Sequence, residues 1–403
     1  MCAVAAPATG MSGAARLEVA DIVRAYGDVY RQAHRLAAVQ DRALRAIAAC
    51  RTAVLGGHTE TCDQCGATRT AYNSCRNRHC PKCQSAAQAT WLAARQAELL
   101  PRPYFHVVFT LPHRLNALAQ GNPRVLYTAL FRAAADTLLA FGRDPRHLGG
   151  TIGVTAILHT WGQNLSQHLH LHCVVTGGAL AQDGTRWIAA KTGFLFPVRA
   201  LSTVFRAKYL DALQRAFAQQ RLTFAGGTAD LASAEAFARF VAALRAEPWV
   251  VYAKRPFGGP AQVLQYLGRY THRVAISNAR LVDLQAGRVR FRWKDYADRG
   301  RQKMMALSAE EFLRRFLLHV VPPGFVRIRY FGLLANRRRR ALLDRCRVVL
   351  ATPTPPAPST QAPSIAVAAP HADVHRCPHC GVGVMRLTAV HASLPPSAPE
   401  NTS

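Results

Sequence analysis

Gln167-His168-Leu169-His170-Leu171-His172-Cys173-Val174-Val175 alternates with period two. Read as a strand, it puts His168, His170 and His172 on one face and Leu169, Leu171, Cys173 and Val175 on the other. The apolar face can bury while the imidazole face binds a metal. Imidazoles two apart on a strand converge on one cation, and a third ligand is expected from the preceding strand, where His159 stands before a connection through Gly162. Gln163 and His106 are alternative third ligands, and a half-exposed histidine ladder without any ion is the plainer reading.

Outward from this stretch the pattern is α+β. Strands are expected over 151–160, over the β-branched and aromatic run 104–111, near 186–190 and near 274–294. Helices are expected over 123–141, opened by Asn122-Pro123, through most of 198–246, near 260–271, near 308–319 and near 332–350. Toward the amino terminus, apolar residues at helical spacing over 16–50 and an Ala-rich run over 84–100 flank a Cys/His-dense loop at 50–83. Pro101 and Pro103 suggest a domain border. The expected organisation is a disordered 1–20, a helical zinc-binding and DNA-binding module over 21–100, a main domain over 101–350, a Pro/Ala-rich linker over 351–370 and a mostly disordered Cys/His tail over 371–403.

The chain has 403 residues, half of them apolar, and a net charge of +29. That composition excludes wholesale disorder and points to a polyanionic partner, nucleic acid before membrane. No secretory leader is read at the amino terminus, and Arg132 and Asp136 interrupt the apolar stretch 126–141, so no membrane span and a cytoplasmic location are expected. There the eleven cysteines favour metal over disulfides.

Cys62-x2-Cys65 and Cys80-x2-Cys83 are two knuckles of the kind that close on one zinc ion, structural because four protein ligands leave no open position. Arg69, Arg76, Arg78 and Lys82 can offset the negative charge of four thiolates, and Arg76 and Arg78 can face DNA phosphates. Cys50, His58, Cys75 and His79 form either a second site or ordinary neighbours of the first. Cys377-Pro378-His379-Cys380 is half of a zinc ribbon, with His371 and His375 as possible partners, or else a flexible end.

Tyr266 and Tyr270 lie four apart in Gln265-Tyr266-Leu267-Gly268-Arg269-Tyr270-Thr271-His272-Arg273, which a helix brings to one side. Alone, such a pair is usually core packing. A phenol with a pKa of about 10 attacks phosphorus poorly unless cations polarise the phosphate, which the histidine-bound metal, Arg269, His272 and Arg273 would do. The run Arg337 to Arg340 is either a solvated helix face or a grip on DNA.

The segments Tyr72-Asn73-Ser74-Cys75-Arg76-Asn77-Arg78-His79-Cys80-Pro81-Lys82-Cys83 and Tyr104-Phe105-His106-Val107-Val108-Phe109-Thr110-Leu111-Pro112 complete a pattern. With His170-Leu171-His172, the paired tyrosines, Phe291 to Tyr296 and Arg329 to Gly332, they resemble the insertion-sequence-91-type transposases, two-tyrosine members of the HUH endonuclease superfamily. The resemblance runs over residues 20–345. It implies an HUH-type antiparallel sheet with flanking helices, preceded by a helical zinc-ribbon module. The implied enzyme nicks single-stranded element ends in rolling-circle transposition, holding Mg²⁺ or Mn²⁺ on His170 and His172 and using Tyr266 and Tyr270 as alternating nucleophiles through a 5′-phosphotyrosine. It would work in a bacterial cytoplasm at the nucleoid. Host machinery would unwind DNA, since no phosphate-binding loop of the ATPase type is present in the sequence. His168-Leu169 replaces the family's usual polar residue and proline, leaving the role of His168 open. Rival readings are a plasmid replication initiator or relaxase of the same superfamily, a non-catalytic zinc-dependent nucleic-acid-binding protein, and a carboxylate-based hydrolase.

Overall fold

A computed structural model describes residues 16–254, 262, 263, 268, 275–350 and 375–394. The helices are α1 (Val19–Ala33), α2 (Ala38–Ala49), α3 (Pro81–Gln96), α4 (Asn116–Gly121), α5 (Pro123–Arg143), α6 (Val198–Ala218), α7 (Ala234–Ala246), α8 (Ala309–Leu317) and α9 (Arg339–Val349). The strands are β1 (Gly57–Cys62), β2 (Thr68–Tyr72), β3 (Tyr104–Thr110), β4 (Gly150–Thr151), β5 (Gly153–Trp161), β6 (Gln167–Thr176), β7 (Gly178–Ala181), β8 (Trp187–Ala189), β9 (Val251–Lys254), β10 (Leu281–Gln285), β11 (Arg288–Asp295), β12 (Arg301–Ser308), β13 (Ile328–Gly332) and β14 (Met385–His391). The fold is α+β, as expected.

Its centre is a five-stranded antiparallel sheet in the order β13-β5-β6-β3-β9. The alternation in β6 works as its sequence predicts. Leu169, Leu171, Cys173 and Val175 enter the main core with Phe109 of β3, Phe131 of α5, and Phe205 and Tyr209 of α6. Each such side chain contributes about 1.5–3 kcal/mol by leaving water. Pro123 opens α5 because its missing N–H has no partner to lose there. The preceding Asn122 ties this helix start to the chain after α6: its amide donates to the Thr223 carbonyl at 2.8 Å and accepts from the Thr223 N–H at 2.7 Å. By length and composition α5 is apolar enough to cross a membrane, but its buried residues pack into this core.

A second core changes the expected organisation. Ile22, Val23, Leu44 and Ile47 of α1 and α2 are buried with Val289, Phe291, Phe312 and Phe316, so the amino-terminal helices share a core with the β10-β11-β12 sheet and α8. Asn278 accepts from the Val19 N–H at 3.1 Å, and Gln40 donates to the Leu317 carbonyl at 3.1 Å. The amphipathic stripe of α1 needs an apolar partner, and chain far beyond residue 101 supplies it.

The third unit is the sheet β14-β1-β2. It lies where a Cys/His loop was expected, and β14 belongs to the tail expected to be mostly disordered. Six of the seven residues of β14 are exposed, so the strand lacks the alternation that marks a half-buried sheet.

Candidate metal centres and the imidazole face

The polar face of the central sheet gathers imidazoles from three strands. His159 is the register partner of His170, and ligand nitrogens of His159, His170 and His172 all lie within 4.8 Å of one another. Nε2 of His170 and Nε2 of His172 are 3.1 Å apart. Two nitrogens bound to one ion at about 2.0–2.2 Å stand close to that distance when they subtend a right angle or slightly more. His170 Nδ1 donates to the His168 carbonyl at 2.9 Å, which turns the Nε2 lone pair toward the cluster. Nδ1 of His172 and Nε2 of His106 form a 2.9 Å hydrogen bond, so a His172 that binds through Nε2 donates from Nδ1 to His106. His106, weighed as a ligand, thus occupies a supporting position. His168 lies beside the trio, with its ring 5.3 Å from that of His113.

Burial keeps these rings neutral, the state a metal requires. Burial lowers His170 and His106 to about 3 and drives His172 well below its ordinary value. Burial also takes His79 to about 3 and His319 to about 4. Between these folded values and about 6.5 the unfolded chain binds more protons, so stability rises with pH and falls as acid is added. For protein that keeps its cysteine-bound zinc but carries no ion on the imidazole face, we expect the urea midpoint to drop between about pH 7.5 and 5, as stability falls by up to about 1.4 kcal/mol per pH unit for each proton taken up differentially. A midpoint unchanged over that interval would contradict burial of these rings.

The cysteines do not pair as the sequence suggested. Cys62, Cys65, Cys80 and Cys83 fall into two clusters: Cys50, Cys75, Cys80 and Cys83 in one, Cys62, Cys65, Cys377 and Cys380 in the other. In the first, sulfur separations are 3.5 Å (Cys75–Cys83), 3.6 Å (Cys50–Cys83) and 3.7 Å (Cys50–Cys80). The edge of a zinc–thiolate tetrahedron with bonds of about 2.3 Å is about 3.8 Å, so the donor set fits zinc. The Cys80 thiol is pulled down to about 5, chiefly by the hydrogen bond from Cys75. Of the other residues considered for a second site, His79 is buried with Nε2 accepting from the Val321 N–H at 3.2 Å, and His58 lies near Glu60.

The cations also sort unevenly. Arg76 is exposed, whereas Arg69 pairs with Glu60 and Lys82 with Glu18. Arg78 is half-buried, and its charge adds to the burial that lowers the pKa of Arg327 to about 10. Arg327 directly precedes β13 at the sheet edge, and its carbonyl accepts from the Leu158 N–H. No local sequence pattern singles out Arg327. Its signal is spatial: two guanidinium groups brought together by segments far apart in the chain. Arg339 serves the fold, pairing with Glu98 at 2.9 Å and stacking on Tyr330. Tyr266, Tyr270, Arg269, His272 and Arg273 lie outside the described residues. Val263, just before them, is fully buried with Ile157 and Val174, on the sheet face that carries His159 and His172.

A family model described as "Transposase zinc-binding domain" matches residues 22–111, and one described as "Putative transposase" matches 153–341. The chain is 57% identical over 347 residues to a "Putative transposase" of Sinorhizobium fredii, covering 86% of this chain and 87% of that one. It is 31% identical over 346 residues to the "Transposase for insertion sequence element IS801" of Pseudomonas savastanoi pv. phaseolicola, covering 85% of this chain and 82% of the relative. No solved structure matches. Relatives aligned over most of their length, on a chain whose first cysteine cluster and imidazole face lie within the matched segments, place it in a family: this protein belongs to the insertion-sequence-91-type transposases.

Proposed function

We propose that this transposase nicks and rejoins single-stranded DNA at the ends of its element, in rolling-circle transposition, with Tyr266 and Tyr270 as nucleophiles. His159, His170 and His172 would hold Mg²⁺ or Mn²⁺. The observation that carries this reading is the convergence of three buried imidazoles, two of them with Nε2 atoms 3.1 Å apart, on the polar face of the central sheet. Bound there, the ion would supply Lewis-acid polarisation of the scissile phosphate.

The chain's own residues do the rest. The His168 carbonyl and His106 hold two of the rings in orientation, so their lone pairs need no rearrangement when a phosphate arrives. A tyrosine oxygen attacks phosphorus in line and loses its proton. The bond from phosphorus to the 3′ oxygen breaks, that oxygen is protonated, and the 5′ end remains on the protein as a phosphotyrosine. The exchange conserves the phosphodiester's energy and needs no ATP. A second tyrosine allows a second cut before the first strand is resealed. Unwinding falls to host machinery, and the working place is the cytoplasm, at the nucleoid. Exposed cations such as Arg76 hold the backbone, so binding weakens as salt rises.

The test is incubation with end-labelled single-stranded element ends and Mg²⁺, followed by denaturing electrophoresis. A protein-linked strand is expected from the natural chain and none from the double variant Tyr266→Phe, Tyr270→Phe, which should still bind DNA. An adduct that persists in that variant removes these nucleophiles. Cleavage without any adduct indicates a hydrolase, and binding without cleavage a non-catalytic zinc protein.

A further inference from the structure

The second cysteine cluster joins parts of the chain that no matched segment connects. Cys62 and Cys65 lie within the amino-terminal zinc-binding match, whereas Cys377 and Cys380 lie beyond both matches. Cys62 and Cys380 sulfurs are 3.8 Å apart, and Cys65 and Cys377 sulfurs 3.6 Å. These are edges of a zinc–thiolate tetrahedron. Both halves have the same knuckle geometry. The N–H groups of Gln64 and Cys65 point at Cys62 Sγ, at 3.4 and 3.5 Å, and those of His379 and Gly383 at Cys377 and Cys380 Sγ, at 3.4 and 3.3 Å. Each knuckle turns on a glycine in the left-handed region, Gly66 (φ 71°) and Gly381 (φ 68°). At Gly383 a Cβ would come within 2.4 Å of Cys62 Sγ, so the tail backbone passes directly over that sulfur.

The surrounding strands pair along their length, with one register shift between Thr59 and Glu60. β14 runs antiparallel to β1 from Gly57 opposite His391 to Cys62 opposite Met385. Asp63 accepts from the Val384 N–H at 2.9 Å and pairs with Arg386 at 3.1 Å. Yet this sheet buries little: Leu387 and Val390 are 62% and 76% exposed. A three-stranded sheet so poor in core needs another source of stability.

We propose that Cys62, Cys65, Cys377 and Cys380 bind a second structural zinc ion, which fastens the carboxy-terminal tail to the amino-terminal module. The four thiols lose their protons to solvent on binding, and no oxidant or reductant is involved. The site is separate from the first cluster and owes nothing to the tyrosine chemistry, so it stands even if that chemistry fails.

Metal content tests it. Full-length protein should carry one zinc ion per chain more than the variant Cys377→Ser, Cys380→Ser, prepared identically, because any metal elsewhere cancels in the difference. Equal zinc in the two would overturn the proposal, as would four cysteines found in disulfides in the purified natural chain. A second experiment leaves all cysteines in place: a protease site is inserted within residues 351–370 and cut. The fragment bearing residues 375–394 should co-elute with the body and separate when a chelator removes zinc. A fragment that never co-elutes, or stays bound after verified zinc loss, would overturn the fastening.

Discussion

Alanine at both His170 and His172 is expected to slow adduct formation by about 1,000-fold or more while leaving DNA retention within about twofold, since several kcal/mol of charge stabilisation at the phosphate is lost. The rings are a poor source of DNA affinity themselves. They are buried, neutral and turned toward one another, so they present no charge to the backbone. His168→Ala is the informative contrast. His170 is oriented by the carbonyl of residue 168, which the substitution retains, so a loss of less than about tenfold is expected. The measurement is a single-turnover time course of the protein-linked strand at saturating Mg²⁺. If the double alanine variant forms adduct at the natural rate, the imidazole face is not the reaction centre. Equal losses at 168 and at 170 with 172 would mean that the whole strand face is needed for packing.

Replacing Cys80 with Ser should be the most damaging single change to stability. Cys80 is almost fully buried, belongs to the cluster with Cys50, Cys75 and Cys83, and packs within the core shared by α1, α2 and α8. Structural zinc contributes about 10–16 kcal/mol in small zinc modules, which matches or exceeds the whole stability of an ordinary domain. We expect the variant to lose that zinc ion and either to accumulate as insoluble protein or to melt at least about 10 °C lower. Cys173→Ser controls for the mere insertion of a hydroxyl. It sits in the main core, away from both clusters, and should cost about 1–3 kcal/mol with zinc content unchanged. A Cys80→Ser protein with natural zinc content and melting temperature would show that this cluster does not hold the module together.

What the sequence reveals depends on how locally each signal is written. The histidine strand is legible because period two is a property of neighbouring residues, and the core beneath Leu169, Leu171 and Val175 obeys it. His159 could be singled out because the next strand is close in sequence and antiparallel. The cysteine partnership was not legible, because three C-x2-C knuckles do not say which of them will share an ion. Cys75 and Cys50 complete one cluster from spacings that form no knuckle, and Cys377 and Cys380 complete the other across the whole chain. β13 escaped because Ile328 to Gly332 holds intermediate positions throughout, at a sheet edge reached by long-range pairing with β5. The supporting role of His106 depends on a diagonal contact between strands, which no spacing encodes.

The joint core of α1 and α2 with β10–β12 and α8 limits how the protein can be rebuilt. A chimaera that grafts the first hundred residues of one family member onto the remainder of another would break Ile22, Leu44 and Ile47 away from Phe291, Phe312 and Phe316, their matched neighbours. Exchange of the amino-terminal module between family members should therefore succeed only when the segment around 275–317 travels with it, as one inherited block made of two distant stretches of gene.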